Sequence, residues 1–124
     1  MQIRVYYEDT DSGGVVYHSN YLKFCERARS ELFFKKNIDI FSEKTGHFLV
    51  TKINCRFLKS AKLGDILKIE TKLLDIKNVS VLIKQEIFRD NEKIFDADFT
   101  LAFLKDSKIS KIDKKLKEIF EELM

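Results

Sequence analysis

From residue 49 to residue 103 the chain alternates apolar and polar side chains in successive runs. Leu49, Thr51, Ile53, Cys55 and Phe57 alternate with Val50, Lys52, Asn54 and Arg56. Leu67, Ile69, Thr71 and Leu73 alternate with Lys68, Glu70 and Lys72. Residues 79–89 are rich in β-formers, and Phe95, Ala97, Phe99, Leu101 and Phe103 alternate with Asp96, Asp98 and Thr100. A period of two sends one face of each strand inward and the other toward solvent. The turns at 62–65, 75–78 and 90–92 are too short for crossovers, so consecutive strands are antiparallel neighbours. Four such strands need an apolar partner over their inner face.

The partner stands upstream. A short strand carries Ile3, Val5 and Tyr7, and from about His18 the period changes. Tyr21, Phe24, Cys25, Ala28 and Leu32 fall on one helical stripe, with Phe33 beside it, until the pattern fades near Asn37. Residues 38–46 read as a loop with room for one extra turn. A second helix closes the chain, with Ile112, Leu116, Ile119, Phe120 and Leu123 on one side. The order β-α-β-β-β-β-α implies an α+β fold: an antiparallel sheet wrapped around one long central helix, with a short C-terminal helix. Long strands leave edges that must be covered or paired, and pairing two copies through a sheet edge does so.

Nothing divides the 124 residues, which read as a single domain, 1–124. Proline is absent and there are four glycines, so most turns rest on Asp, Asn, Ser and Lys. The net charge of +3 comes from scattered lysines, with no basic run interleaved with aromatic platforms, which argues against nucleic acid. Cys25 and Cys55 form no Cys-x-x-Cys pair and sit among apolar neighbours, so buried reduced thiols are expected rather than a zinc site. No apolar run approaches the ~20 residues of a membrane span, and the N-terminus lacks the apolar core of a signal peptide. A cytoplasmic protein without a transmembrane segment is expected.

Residues 8–21 read EDTDSGGVVYHSNY. Acids, two adjacent glycines and an imidazole are crowded just before the first helix. A helix N-terminus exposes unpaired amides at the positive end of its dipole. Such donors at Tyr17 and His18 would polarise a carbonyl and stabilise an oxyanion. A carboxylate nearby, Asp11, can activate water or attack directly. The set suits acyl transfer, with ester or thioester hydrolysis as the concrete case. Plainer roles stay open at this point: Asp9 and Asp11 as turn or helix caps, His18 as a backbone-bonded helix-start residue, Glu8 as a solvated charge. A divalent metal on Asp9, Asp11 and His18 has only loose spacing in its favour. His47, beside Gly46, reads as an exposed loop residue.

The run YYEDTDSGGVVYHSNYLKFCERARSE resembles the signature of the hot-dog-fold acyl-CoA thioesterases of the 4-hydroxybenzoyl-CoA thioesterase family. It is most similar to the YbgC-type branch, which is associated with the Tol–Pal envelope system. Asp11, Gly14, His18, Asn20 and Tyr21 match the pattern Asp-x-x-Gly-x-x-x-His-x-Asn-Tyr, and Glu26 to Arg29 fits the same branch. The resemblance implies a hot-dog fold working as a homodimer or homotetramer, with active sites at subunit interfaces; no cofactor or metal is expected. It implies Asp11 as nucleophile or general base, the His18 amide as the carbonyl-polarising donor, and the His18 imidazole as orienting water or substrate. Tyr7 matches a tyrosine that assists near the carboxylate. Gly14, Asn20 and Tyr21 match the structural part of the motif, with Asn20 tying the turn to the sheet. The substrate would be an acyl-CoA, with acyl carrier protein as the other carrier. Arg56, Lys59, Lys62, Lys77 and Lys84 are candidates for the coenzyme A phosphates. Two other readings of the fold are a β-hydroxyacyl dehydratase, for which no acid–base pair stands on the helix body, and a non-catalytic acyl-thioester-binding or envelope-scaffold module.

Overall fold

The helical stripe becomes α1 (His18–Phe34), and in the computed structural model its inward face is Tyr21, Phe24, Cys25 and Ala28. The structure describes residues 1–39, 41–42 and 45–124. The strands are β1 (Gln2–Arg4), β2 (Phe41–Ser42), β3 (Gly46–Phe57), β4 (Ile66–Ile76), β5 (Ser80–Arg89), β6 (Glu92–Lys105) and β7 (Lys108–Ile109). All pairings are antiparallel, in the order β1-β4-β5-β6-β3-β2, with β7 on β6. α2 (Lys114–Leu123) closes the chain; Asp113 caps it by accepting from the Leu116 amide at 2.8 Å. Just before it, buried Ile112 is anchored by its amide to the Asn78 carbonyl at 2.8 Å.

The inner face of the sheet carries Leu67 and Ile69 from β4, Val81, Ile83 and Ile87 from β5, and Phe95, Ala97, Phe99, Leu101 and Phe103 from β6. α1 lies in this curve, as the periodicity requires. One inward position is polar. Gln85 is fully buried, yet its side-chain amide donates to the Cys25 carbonyl at 2.9 Å and to Thr71 Oγ1 at 3.0 Å, and its oxygen accepts from Arg29 Nη1 at 2.8 Å. A buried amide with these partners avoids its desolvation penalty and fixes α1 against the sheet. Both cysteines are free, and burial pushes the Cys25 thiol up to about 12.

Four expectations need correction. The first strand ends at Arg4, because Tyr7 opens a 3-10 turn (Tyr7–Asp9) instead of continuing the alternation. The segment 38–46 contains β2, which pairs Phe41 and Ser42 with His47 and Gly46; Ile40, Glu43 and Lys44 lie outside the described residues. His47 therefore stands on β3 and is only partly exposed. Strict alternation also fails in β3. A bulge at Thr51 changes parity, so Phe48 and Val50 share the inner face with Ile53, Cys55 and Phe57, opposite Phe103, Leu101, Phe99, Ala97 and Phe95.

Candidate active site

Residues 5–17 join β1 to α1. The amide of buried Val5 donates to the Asp65 carbonyl, and its own carbonyl accepts from Gly64, both at 2.9 Å, so the connection starts pinned to the turn before β4. The 3-10 turn then drives Asp9 inward. The residue is 3% exposed; its Oδ2 accepts from the Tyr6 amide at 2.9 Å and Oδ1 from Asn20 Nδ2 at 3.0 Å. Asn20 thus ties the turn to α1 through Asp9, rather than to the sheet.

Beyond Asp9 the chain makes a tight loop. Thr10 and Val16 form an antiparallel bridge, the Asp11 amide donates to the Val15 carbonyl at 2.9 Å, and the Gly14 amide donates to the Asp11 carbonyl at 3.1 Å. Gly14 takes φ +80°, a conformation that disfavours other residues. Val16 donates to the Ala61 carbonyl at 2.9 Å and Val15 bridges Lys62, which stitches the loop to the β3–β4 connection. At the loop tip the Asp11 side chain is exposed, and its Oδ1 accepts from the Gly13 amide at 2.8 Å. A Cβ on residue 13 would stand 3.2 Å from that oxygen, so Gly13 leaves room for the carboxylate. Among the described residues nothing donates to Asp11 Oδ2.

α1 begins with bare donors. Tyr17 gives no side-chain cap and the first turn holds no acid. Asn20 donates to the Tyr17 carbonyl at 2.9 Å, whereas no acceptor among the described residues meets the amides of His18 or Ser19. The amide of Tyr17, expected to share the polarising role, is committed to the Asp9 carbonyl at 2.9 Å, because closing the loop uses it. The available pair is His18 and Ser19.

The His18 imidazole is exposed and meets the Phe57 ring edge-on, with centroids 5.2 Å apart. Beneath it, Tyr21 stacks on Phe95 at 5.2 Å and its hydroxyl accepts from the Ala61 amide at 3.0 Å. Burial pushes that phenol above its ordinary value. Gly14, Asn20 and Tyr21 are thus the scaffold of the loop. Tyr7 is brought to the same end of the molecule but is 81% exposed; its carbonyl accepts from the Thr10 hydroxyl at 2.9 Å.

The basic candidates scatter. Arg56 pairs with Asp96, Lys59 with Glu92 at 2.7 Å, and Lys84 with Asp98 at 3.3 Å. Lys62 is exposed beside Val15, on the loop itself. Lys77 follows Ile76, at the end of β4 opposite Ile66 and the loop. Sequence reading missed Arg89, which donates to the Ser60 carbonyl at 2.8 Å and pairs with Asp65 at 3.1 Å, bracing the connection that holds the loop. Among the described residues no cluster of three His, Cys, Asp or Glu could hold a metal, and buried Asp9 is already bonded to Asn20 and Tyr6.

The thioesterase superfamily matches residues 13–95, more than half of the chain. The chain belongs to that superfamily. It is 41% identical over 133 residues to the acyl-CoA thioesterase YbgC of Helicobacter pylori, covering 100% of this chain and 98% of that protein. The acyl-CoA thioesterase YbgC of Haemophilus influenzae is 35% identical, with 98% and 93% covered. Among solved structures, a probable thioesterase from Bartonella henselae superposes with a TM-score of 0.84 at 28% identity, over 91% of this chain and 97% of that one. A hypothetical protein from Aquifex aeolicus reaches a TM-score of 0.89 at 22% identity over 97% of both chains, a likeness of fold. The curled antiparallel sheet around α1 is the hot-dog fold of these thioesterases. No helix among the described residues is long and apolar enough to cross a membrane.

Proposed function

We propose that this chain hydrolyses acyl-CoA thioesters to a free acid and a thiol, with Asp11 and the first turn of α1 as the reacting site. One observation carries the reading: the closed 10–16 loop, with the exposed Asp11 carboxylate at its tip, leads straight into a helix start whose His18 and Ser19 amides have no acceptor among the described residues. The thioester carbonyl oxygen accepts from those amides. With Asp11 as general base, it takes a proton from water as the water oxygen bonds to the carbonyl carbon. The tetrahedral oxyanion collapses, the C–S bond breaks, and the thiolate leaves with the proton Asp11 held. With Asp11 as nucleophile, its oxygen bonds to the carbonyl carbon and the C–S bond breaks, expelling the thiolate; water then hydrolyses the mixed anhydride, which frees the acid, restores the Asp11 carboxylate and supplies the proton the thiolate takes up. An oxyanion donor contributes about 10²–10³ in rate and a positioned base about 10²–10⁴.

The His18 imidazole and the Tyr7 phenol orient water or substrate at the rim. Lys62 and Lys59, on the adjoining connection, are the better placed of the basic candidates for coenzyme A phosphates. The working unit is a homodimer, or a homotetramer built from it. Beyond β2, the outer edge of β3 has no strand partner among the described residues, and Leu49, Ile53 and Phe57 stand exposed along it. Pairing β3 with its copy would cover that edge and bring the partner over Tyr7, Tyr17 and Phe57. A reducing, cytoplasmic compartment suits the two free cysteines.

The test is thiol release by the wild-type protein from a panel of short, aromatic and long-chain acyl-CoAs, with an acyl carrier protein thioester as a separate arm. Catalytic thiol release from at least one acyl-CoA is expected. Saturable binding of the panel with no thiol release would replace the reading with a non-catalytic binding module.

A further inference from the structure

A second cavity lies away from the Asp11 loop. It has a volume of about 560 Å³ and runs between the C-terminal half of α1, the inner face of the sheet and α2. Its apolar wall includes Phe33, Phe48, Leu101, Leu116 and Phe120. No residue of the 9–18 loop lines it. Arg29, where the wall begins, stands eleven residues along α1 from His18, about 16 Å at the helical rise. A volume of this size is in the range of small-molecule sites, about 300–1,000 Å³ with few polar groups.

Arg29 gives this cavity its chemistry. Its guanidinium is half-buried over the Phe99 ring, 4.4 Å from the centroid, and Nη1 donates to Gln85 at 2.8 Å. Burial lowers its pKa from the ordinary value. Among the described residues no carboxylate lies within ion-pair distance of it. A guanidinium has five donors, and among the described residues the bond to Gln85 uses one of them. Two carboxylates do line the cavity, but on exposed residues: Glu26, which accepts from the Ser30 hydroxyl at 2.9 Å, and Asp39. A half-buried cation beside an apolar wall is matched by an anionic oxygen pair carrying an apolar chain.

We propose that this cavity is a second ligand site, taking an aliphatic carboxylate with its head on Arg29 and its chain against Phe33, Phe48 and Phe120. It is separate from the reacting site, and binding there does not require turnover.

The probe is decanoate below its micelle concentration, with decanol as the neutral analogue, titrated into the ¹⁵N-labelled wild-type protein and followed by amide chemical shifts. Shifts are expected to cluster at residues 29–33, 101–103 and 116–120, with decanoate at least tenfold tighter than decanol. Arg29→Gln should weaken decanoate about tenfold and leave decanol unchanged. Should Arg29→Gln fail to fold, the comparison of the two probes on wild type still decides. Shifts confined to residues 11–18 would mark ordinary binding of acid at the reacting site and overturn the proposal. So would equal affinity for acid and alcohol, or no shift in the cavity at all.

Discussion

At the residue scale, two carboxylates two positions apart have opposite fates. Asp9 is buried and receives two hydrogen bonds, whereas Asp11 sits at an exposed tip with one. Spacing alone left both open as caps; only the fold of the 3-10 turn and the 10–16 loop separates the buried acid from the exposed one, to which the reaction is proposed to belong. Asn20 belongs to the structural set, since its amide is one of Asp9's two donors. Asn20→Ala leaves a buried carboxylate short of a partner and should cost about 2 kcal/mol of stability, measured by urea unfolding. It should also lower turnover, because the same bond holds the loop against α1. Gly14, His18 and Tyr21 stood out as a motif, but that Tyr17's amide is already spent depends on how the loop closes, and no local pattern shows that.

Elements were legible where the period was long and unbroken. α1, α2 and the four central strands follow from their apolar spacing. The parts that were not legible are those where a single residue breaks the period or where pairing is very short. Thr51 bulges and reverses the inner set of β3, while β2 and β7 span two residues each, too few to alternate. Gln85 was hidden because a lone polar residue at an inward position reads as noise until its partners on α1 and β4 are seen. The bulge matters for assembly, since it sets which side chains accompany the open edge of β3. Ile53→Lys places a charge in that edge, and the proposed pairing predicts that the dimer then dissociates. Light scattering after size exclusion checks it: a monomer mass for the variant is expected, and an unchanged dimer would remove β3 from the interface.

At the scale of the whole molecule, the outer face of the sheet is held by charge. Asp96 lies below its ordinary carboxylate value because Arg56 bonds it, with Lys93 adding to the effect. Burial raises Glu86, but bonds from Lys72 and Lys93 outweigh it and leave that group low as well. A carboxyl depressed in the folded state contributes stability above its unfolded value and loses it as pH falls through the folded one. Thermal stability should therefore decline below about pH 4, where unfolded carboxyls take up protons. Asp96→Asn should be less stable than wild type at pH 7 and approach it in acid, as differential scanning calorimetry across pH would show. The proposed hydrolysis depends most on the carboxylate at residue 11 acting on a thioester held by the start of α1. Steady-state hydrolysis of the best acyl-CoA by wild type and Asp11→Asn, with both shown to be folded and of equal mass, tests this directly. A fall in kcat of about 10²–10⁴-fold with substrate binding retained is predicted, and a variant that turns over at the wild-type rate would contradict it.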